Sequence, residues 1–166
     1  MYTKIYWLYQ VDSTAKLGIM ARPRGGDWLE DEIEYLKKQN VGLLVSLLER
    51  EEINELKLQQ EEALCKAAGI GFINFPIADR GIPKDNDNTD QLINNLAVKL
   101  NEGTSIVIHC RMGIGRSSII AASILLHTGE GTDSILHNIS EIRGLKVPDT
   151  EKQVIWLKGR EWNKFI

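Results

Sequence analysis

The sequence predicts an α/β fold: a single domain spanning residues 1–166, with a central twisted, mostly parallel sheet of about five strands flanked by helices on both faces. Two observations carry this. "VGLLVSLLE" (41–49), "GFINFPI" (71–77) and "TSIVIHC" (104–110) are continuous apolar runs of strand length, the pattern of strands covered on both faces. Between and after them, apolar residues recur at helical spacing, so strand and helix alternate.

In chain order, Lys4 to Val11 and Leu17 to Arg22 read as short strands. Trp28, Leu29, Ile33 and Leu36 form a helical stripe that Asp27 can cap. Cys65 lies in the helical segment "EEALCKAAG". Leu92, Ile93, Leu96 and Leu100 form a stripe ahead of Gly103, with a helix expected from Gln91. Asp85, Asp87 and Asp90 read as a polar loop and its cap. "SSIIAASILLHTG" is apolar nearly all round, which marks a central helix buried on several sides. Ile135, Leu136, Ile139 and Ile142 end at Gly144. Val154, Ile155, Leu157 and Trp162 belong to a last helix introduced by Pro148 and Asp149.

At 166 residues, 43% hydrophobic and 26% charged, the chain suits one domain that buries its own core. A net charge of −3 spread over both signs excludes a nucleic-acid footprint and a polybasic membrane patch. No run is long enough to span a bilayer, and "MYTKIYWLYQVDSTAK" lacks a signal-peptide core. Two cysteines far apart in sequence suit a reducing cytoplasm, and a cytoplasmic monomer is expected. The Asn138-Ile139-Ser140 sequon then carries no meaning.

The chemistry concentrates in "IVIHCRMGIGRSS" (106–118). Amide nitrogens bonded to a phosphate-sized oxyanion lie on a ring of about 25 Å, and six residue steps supply about 20 Å of chain. The loop from Cys110 to Arg116 can therefore nearly encircle such a guest with the amides of Arg111, Met112, Gly113, Ile114 and Gly115. Gly113 and Gly115 allow the positive φ angles and close approach that inward N–H groups demand. The following helix adds the positive end of its dipole. These same groups are expected to stabilise a Cys110 thiolate, since thiols at helix N-termini ionise at about 3.5 to 7.5. Arg116 supplies a planar fork for two phosphate oxygens. His109 points to the opposite strand face and reads as a buried residue that ties down the loop, and Ser117 or Ser118 can donate to the sulfur.

A dinucleotide fingerprint would need glycine at Ser118, and a nucleotide-binding Gly-Lys-Ser/Thr is absent. No ligand pair has zinc-finger spacing, and "DNDNTD" (85–90) fails as a calcium loop because Asp90 and Leu96 stand at its sixth and twelfth positions. Neither metal nor cofactor is expected.

His109-Cys110, five residues, then Arg116-Ser117 resembles the signature of the cysteine-dependent protein tyrosine phosphatases. The likeness is to their compact dual-specificity branch, of the cyclin-dependent-kinase-associated phosphatase type. It runs from "PIADRGIP" (76–83) through the signature to "EIRG" and "TEKQ", about the C-terminal two thirds.

The resemblance implies hydrolysis of phosphotyrosine, with phosphoserine or phosphothreonine also within reach, through a cysteinyl phosphate. It makes Cys110 the nucleophile, Arg116 the phosphate clamp and Asp79 the general acid on a loop between two prolines. The other readings of Asp79 are a turn cap or a partner of Arg80, and Asp85 is a fallback acid. Gln153 resembles the glutamine that positions hydrolytic water in some relatives, although a polar helix start also explains it. Cys65 reads as packing or as a resolving thiol for Cys110, and Arg22 and Arg24 as solvated or as an extension of positive surface.

The expected partner is a phosphoprotein substrate, with no nucleic acid and no membrane. The alternatives are a non-protein phosphate such as a phosphoinositide or nucleotide, a phosphate-binding module without turnover, and a sulfurtransferase, which would have no use for Asp79.

Overall fold

The computed structural model describes residues 1–163; the last three residues of the expected domain, and the side chain of Trp162, lie outside the described part. Five strands form one sheet: β1 (Tyr6–Val11), β2 (Ala15–Met20), β3 (Leu43–Ser46), β4 (Gly71–Asn74) and β5 (Ile106–His109), in the order β1-β2-β5-β3-β4. β1 runs antiparallel to β2, and the other neighbours are parallel. The sheet is mixed and mostly parallel, as the apolar runs predict, but β4 is an edge strand with no fully buried residue and is not covered on both faces.

Side chains alternate across the sheet. Leu17, Ile19, Leu43, Val45, Ile106 and Ile108 join one core, with residues of α4 (Asn86–Asn101), α5 (Arg116–Leu125), α6 (Thr132–Arg143) and α7 (Glu151–Asn163). Met20, Leu44 and Val107 join the other, with α1 (Leu29–Lys38), α2 (Arg50–Glu55) and α3 (Glu61–Ala67). Every residue of α5 is buried, which explains its nearly all-apolar sequence.

Several boundaries differ from expectation. Asp27 does not cap α1; it lies in a 3₁₀ turn, Gly26–Trp28, that runs straight into the helix with no side-chain cap bond. α4 begins at Asn86 instead of Gln91, because Asp85 caps it by accepting from the Asn88 amide at 3.0 Å. "DNDNTD" is thus the cap and first turns of a helix. α2, REEINE, has a single apolar residue and so no stripe that predicts a helix. Ile142 and Ile155 lie on their expected helices but face solvent, 42% and 62% exposed, because each stripe buries fewer positions than periodicity allots.

The parallel register brings the carboxyl ends of β2, β5, β3 and β4 to one edge of the sheet. The segments starting at Ala21, Leu47, Phe75 and Cys110 therefore emerge together, where ligands bind in such folds.

Candidate active site

The loop after β5 is shaped by what holds its carbonyls. His109 Nδ1 donates to the Cys110 carbonyl at 3.1 Å, and the Arg22 amide to that of Arg111 at 3.1 Å. Arg143 on α6 donates from Nη2 to Met112 O at 3.1 Å and from Nε to Gly113 O at 2.9 Å. The Ile119 amide donates to Gly115 O at 3.2 Å. In a planar trans peptide the carbonyl and the next N–H point in opposite directions. Drawing these carbonyls outward therefore turns the amides of Arg111, Met112, Gly113, Ile114 and Arg116 to the other side, a nest for an anion.

The two glycines do different work. Gly113 has φ +70°, and a Cβ there would meet the Met20 carbonyl carbon and the Ala21 amide nitrogen at 2.7 Å. Gly115 has no positive φ, contrary to expectation: at φ −92° it is required for close approach alone, since a Cβ would lie 2.5 Å from Asp149 Oδ2.

Cys110 is 3% exposed, with its Sγ 3.3 Å from Ser117 Oγ. Ser118 is equally buried, but its hydroxyl has no hydrogen-bond partner among the described residues, so Ser117 is the serine beside the sulfur.

Arg116 is 2% exposed and is gripped from three sides. Nη1 donates to Glu52 Oε2 at 2.8 Å and to the Ile77 carbonyl at 2.9 Å; Nη2 donates to Glu52 Oε1 at 2.9 Å and to Asp79 Oδ1 at 3.1 Å. Burial alone would lower the Arg116 pKa, but Glu52, Cys110 and Asp79 outweigh it and raise it. Burial likewise works to raise that of Glu52, and the Arg116 contacts reverse the sign and hold the carboxyl below its ordinary range.

Glu52, the carboxylate that holds Arg116, is a residue that sequence reasoning missed. Its Oε2 also accepts from the Glu49 amide at 2.9 Å in a capping box at the start of α2, so the helix start and the guanidinium share one carboxylate. The spacing of Glu49 and Glu52 signals the cap; nothing local signals a partner 64 positions away. Glu52→Gln is expected to cost of order 3 kcal/mol of stability, because one partner of a buried pair is lost, and to lower kcat/KM by loosening the clamp. Denaturant unfolding beside steady-state kinetics checks both, and an unchanged kcat/KM would remove Glu52 from the site.

Asp79 lies in a tight turn closed by the Gly81 amide donating to Ala78 O at 2.8 Å, with Arg80 left-handed at φ +59°. A non-glycine residue there costs roughly 1 to 3 kcal/mol unless its surroundings hold it. Gln153 does so by donating from Nε2 to Gly81 O at 3.0 Å. Asp79 pairs with Arg116 instead of Arg80, and its side chain is 60% exposed at the mouth. The fallback acid Asp85 is committed to capping α4.

Gln153 has a holding role beside the one the resemblance implies for it. Its Oε1 accepts from the Thr150 amide at 3.2 Å, in a reciprocal cap with Thr150, and its Nε2 is taken by Gly81. It is a strut between α7 and the Asp79 turn. Arg111 is not aimed into the nest either: its guanidinium reaches outward to Glu55 at 3.0 Å. Met112 is 60% exposed, and Ile114 packs on the core. Arg24 pairs with Glu32 at 2.6 Å, whereas Arg22 contributes its backbone.

His109 is fully buried and has a second contact that the sequence did not reveal, Nε2 to Glu61 Oε2 at 2.6 Å. Burial works to lower its pKa, and the Glu61 carboxylate outweighs burial and lifts it above the ordinary 6.5. A group raised on folding stabilises fully below its unfolded value and loses that contribution as pH rises through the folded one. Unfolding midpoints should therefore decline above pH 6.5 in the native chain. The His109→Asn protein should lack that component, and parallel profiles would disprove it.

Cys65 and Cys110 belong to cores on opposite faces of the sheet. Burial, with the charge of Glu61 added, pushes the Cys65 thiol up to about 12, so it packs and does not resolve an oxidised Cys110. Among the described residues no group of three or more His, Cys, Asp or Glu is placed to hold a metal ion.

The family described as the polymorphic toxin system DSP-PTPase phosphatase matches residues 18–130, from β2 through the nest and α5. The chain belongs to this phosphatase family. Among curated proteins it is similar to cyclin-dependent kinase inhibitor 3 of Rattus norvegicus, 26% identical over 131 residues, which span 78% of this chain and 61% of that protein. It is also similar to protein tyrosine phosphatase type IVA 2 of Mus musculus, 27% identical over 127 residues, 75% and 70% of the two chains. Among solved structures, kinase associated phosphatase carrying serine for its catalytic-site cysteine superposes with a TM-score of 0.85 at 24% identity, over 95% of this chain and 93% of that one. PTPMT1 in complex with PI(5)P gives 0.75 at 20% identity, over 95% and 96%. These structural matches establish the compact dual-specificity phosphatase fold.

Proposed function

We propose that this chain is a metal-independent phosphoprotein phosphatase that hydrolyses phosphotyrosine, and phosphoserine or phosphothreonine where they fit, through a cysteinyl phosphate. One observation carries the reading: Cys110, Arg116 and Asp79 converge on a nest in which the carbonyls of Cys110, Arg111, Met112, Gly113 and Gly115 are held by outside donors. A binding module without turnover would not need that acid, and neither would a sulfurtransferase.

In the first step the Cys110 sulfur attacks phosphorus and the ester P–O bond breaks. Its electron pair goes to the departing oxygen, which takes the proton of Asp79. The nest amides and Arg116 hold the equatorial oxygens as charge builds on them. Water then attacks phosphorus and gives its proton to Asp79, and the S–P bond breaks with its pair returning to sulfur, where the Ser117 hydroxyl donates to it. Because Asp79 sits on Arg116 Nη2, an incoming phosphate oxygen replaces it there and frees the carboxyl for the leaving group.

A protein substrate is favoured over a phosphoinositide by the loop itself. Its basic residue, Arg111, is turned outward onto Glu55, and position 114 is an apolar Ile packed on the core. The two buried free thiols suit a reducing cytoplasm, and the chain is taken as a single-domain monomer over 1–166. No described helix is long and apolar enough to cross a membrane. The deciding experiment is hydrolysis of an aryl phosphate followed by a matched panel of phosphopeptides and short-chain phosphoinositides. Faster turnover of the lipids would overturn the substrate class, and no turnover of any of them would overturn the activity.

A further inference from the structure

We propose that Arg143 is a positioning residue for phosphate binding, a brace outside the nest that aims two of its amides at the substrate. The inference rests on the phosphatase reading above. Arg143 ends α6, and its guanidinium is spent on the back of the loop: Nε on Gly113 O at 2.9 Å and Nη2 on Met112 O at 3.1 Å. Peptide planarity makes the consequence strict. With the Met112 carbonyl held outward, the Gly113 N–H faces the opposite way, and with the Gly113 carbonyl held, so does that of Ile114.

Met112 and Gly113 lie where the loop is least restrained by its ends. Three other loop carbonyls are held by fixed backbone or by the buried His109: Arg111 O by the Arg22 amide, Cys110 O by His109 and Gly115 O by helical bonding. Among the described residues, only at Met112 and Gly113 does a long side chain from another element supply the donors. Gly113 has the freedom of φ +70°, and without an outside donor its flanking peptides could turn their carbonyls inward, against a phosphate.

The brace is itself held. The guanidinium carbon lies 4.3 Å from the centroid of the Tyr6 ring, which orients the fork by a cation–π contact. No carboxylate among the described residues pairs with Arg143, so its charge reinforces the field at the nest. Anchoring α6 does not require it, because Ile135, Leu136 and Ile139 are buried and Gly144 closes the helix. Lysine would not replace it, having one point charge where two parallel donors are used.

The test is calorimetric titration of the full chain with tungstate, a phosphate-shaped anion, together with kcat and KM for an aryl phosphate. Arg143→Lys and Arg143→Met are expected to weaken tungstate binding about tenfold, with a matching fall in kcat/KM, as for loss of charge-assisted bonds. Tyr6→Phe keeps the ring and should match the native chain, and Tyr6→Leu should shift with the arginine variants. A merely structural role would lower the binding stoichiometry, which counts folded molecules, and leave the dissociation constant alone. Native tungstate affinity and kcat/KM in Arg143→Lys would overturn the proposal even if Arg143→Met fails to fold. A native chain that neither binds tungstate nor hydrolyses the ester would instead defeat the phosphatase reading, and this inference with it.

Discussion

Cys110→Ser is expected to abolish aryl phosphate turnover, by at least roughly 10⁴-fold, while the folded variant still binds tungstate. A serine hydroxyl has the shape of the thiol but stays protonated at neutral pH, so the nucleophile is lost. The anion site is not. The carbonyls that turn the amides inward are held by His109, Arg22, Arg143 and Ile119, and Arg116 is held by Glu52 and Ile77, all without help from the sulfur. The pairing of lost turnover with retained binding is the point of the experiment. Turnover above about 1% of native would mean that another group attacks phosphorus. Loss of binding together with turnover would mean that the substitution damaged the nest.

Asp79→Asn should lower kcat by about 10² to 10⁴-fold, the usual worth of a general acid, and should also tighten tungstate binding. The second effect follows from the 3.1 Å contact between Asp79 Oδ1 and Arg116 Nη2, where a carboxylate holds a donor that the anion needs. Asparagine removes that charge at nearly constant shape. The loss of rate should be steepest for esters with poor leaving groups, since those depend most on receiving a proton. Native rates would move the acid role away from Asp79, and unchanged tungstate affinity would mean that the ion pair does not compete with substrate. Asp85 is no substitute, because its carboxylate caps α4.

What was readable in the sequence was local. The strand-length apolar runs become β3, β4 and β5, the all-apolar segment becomes the buried α5, and the glycine-spaced loop joins them where expected. Misreadings came where one residue type serves two purposes. Asp85 and Asp90 look equally able to cap, and only the helix start at Asn86 separates them. Gly113 and Gly115 look alike, yet one is needed for its dihedral angle and the other for the carboxylate pressed against it. Gln153 also has a purpose that its sequence does not show, because its amide ties Thr150 to Gly81.

By itself the sequence determined the anion-sized loop, its thiol and guanidinium, and the sheet that presents them, because these depend on neighbours within a few positions and on a periodicity that burial imposes. Tertiary structure alone decided which distant charges hold that loop in shape. Glu52 on Arg116, Glu61 on His109 and Arg143 on Gly113 are separated by 64, 48 and 30 positions. A charged side chain that will be buried against such a partner has the same local surroundings as one left in water. The difference arises only when the parallel strands close and the cost of removing a charge from water must be met by a partner brought from elsewhere in the chain.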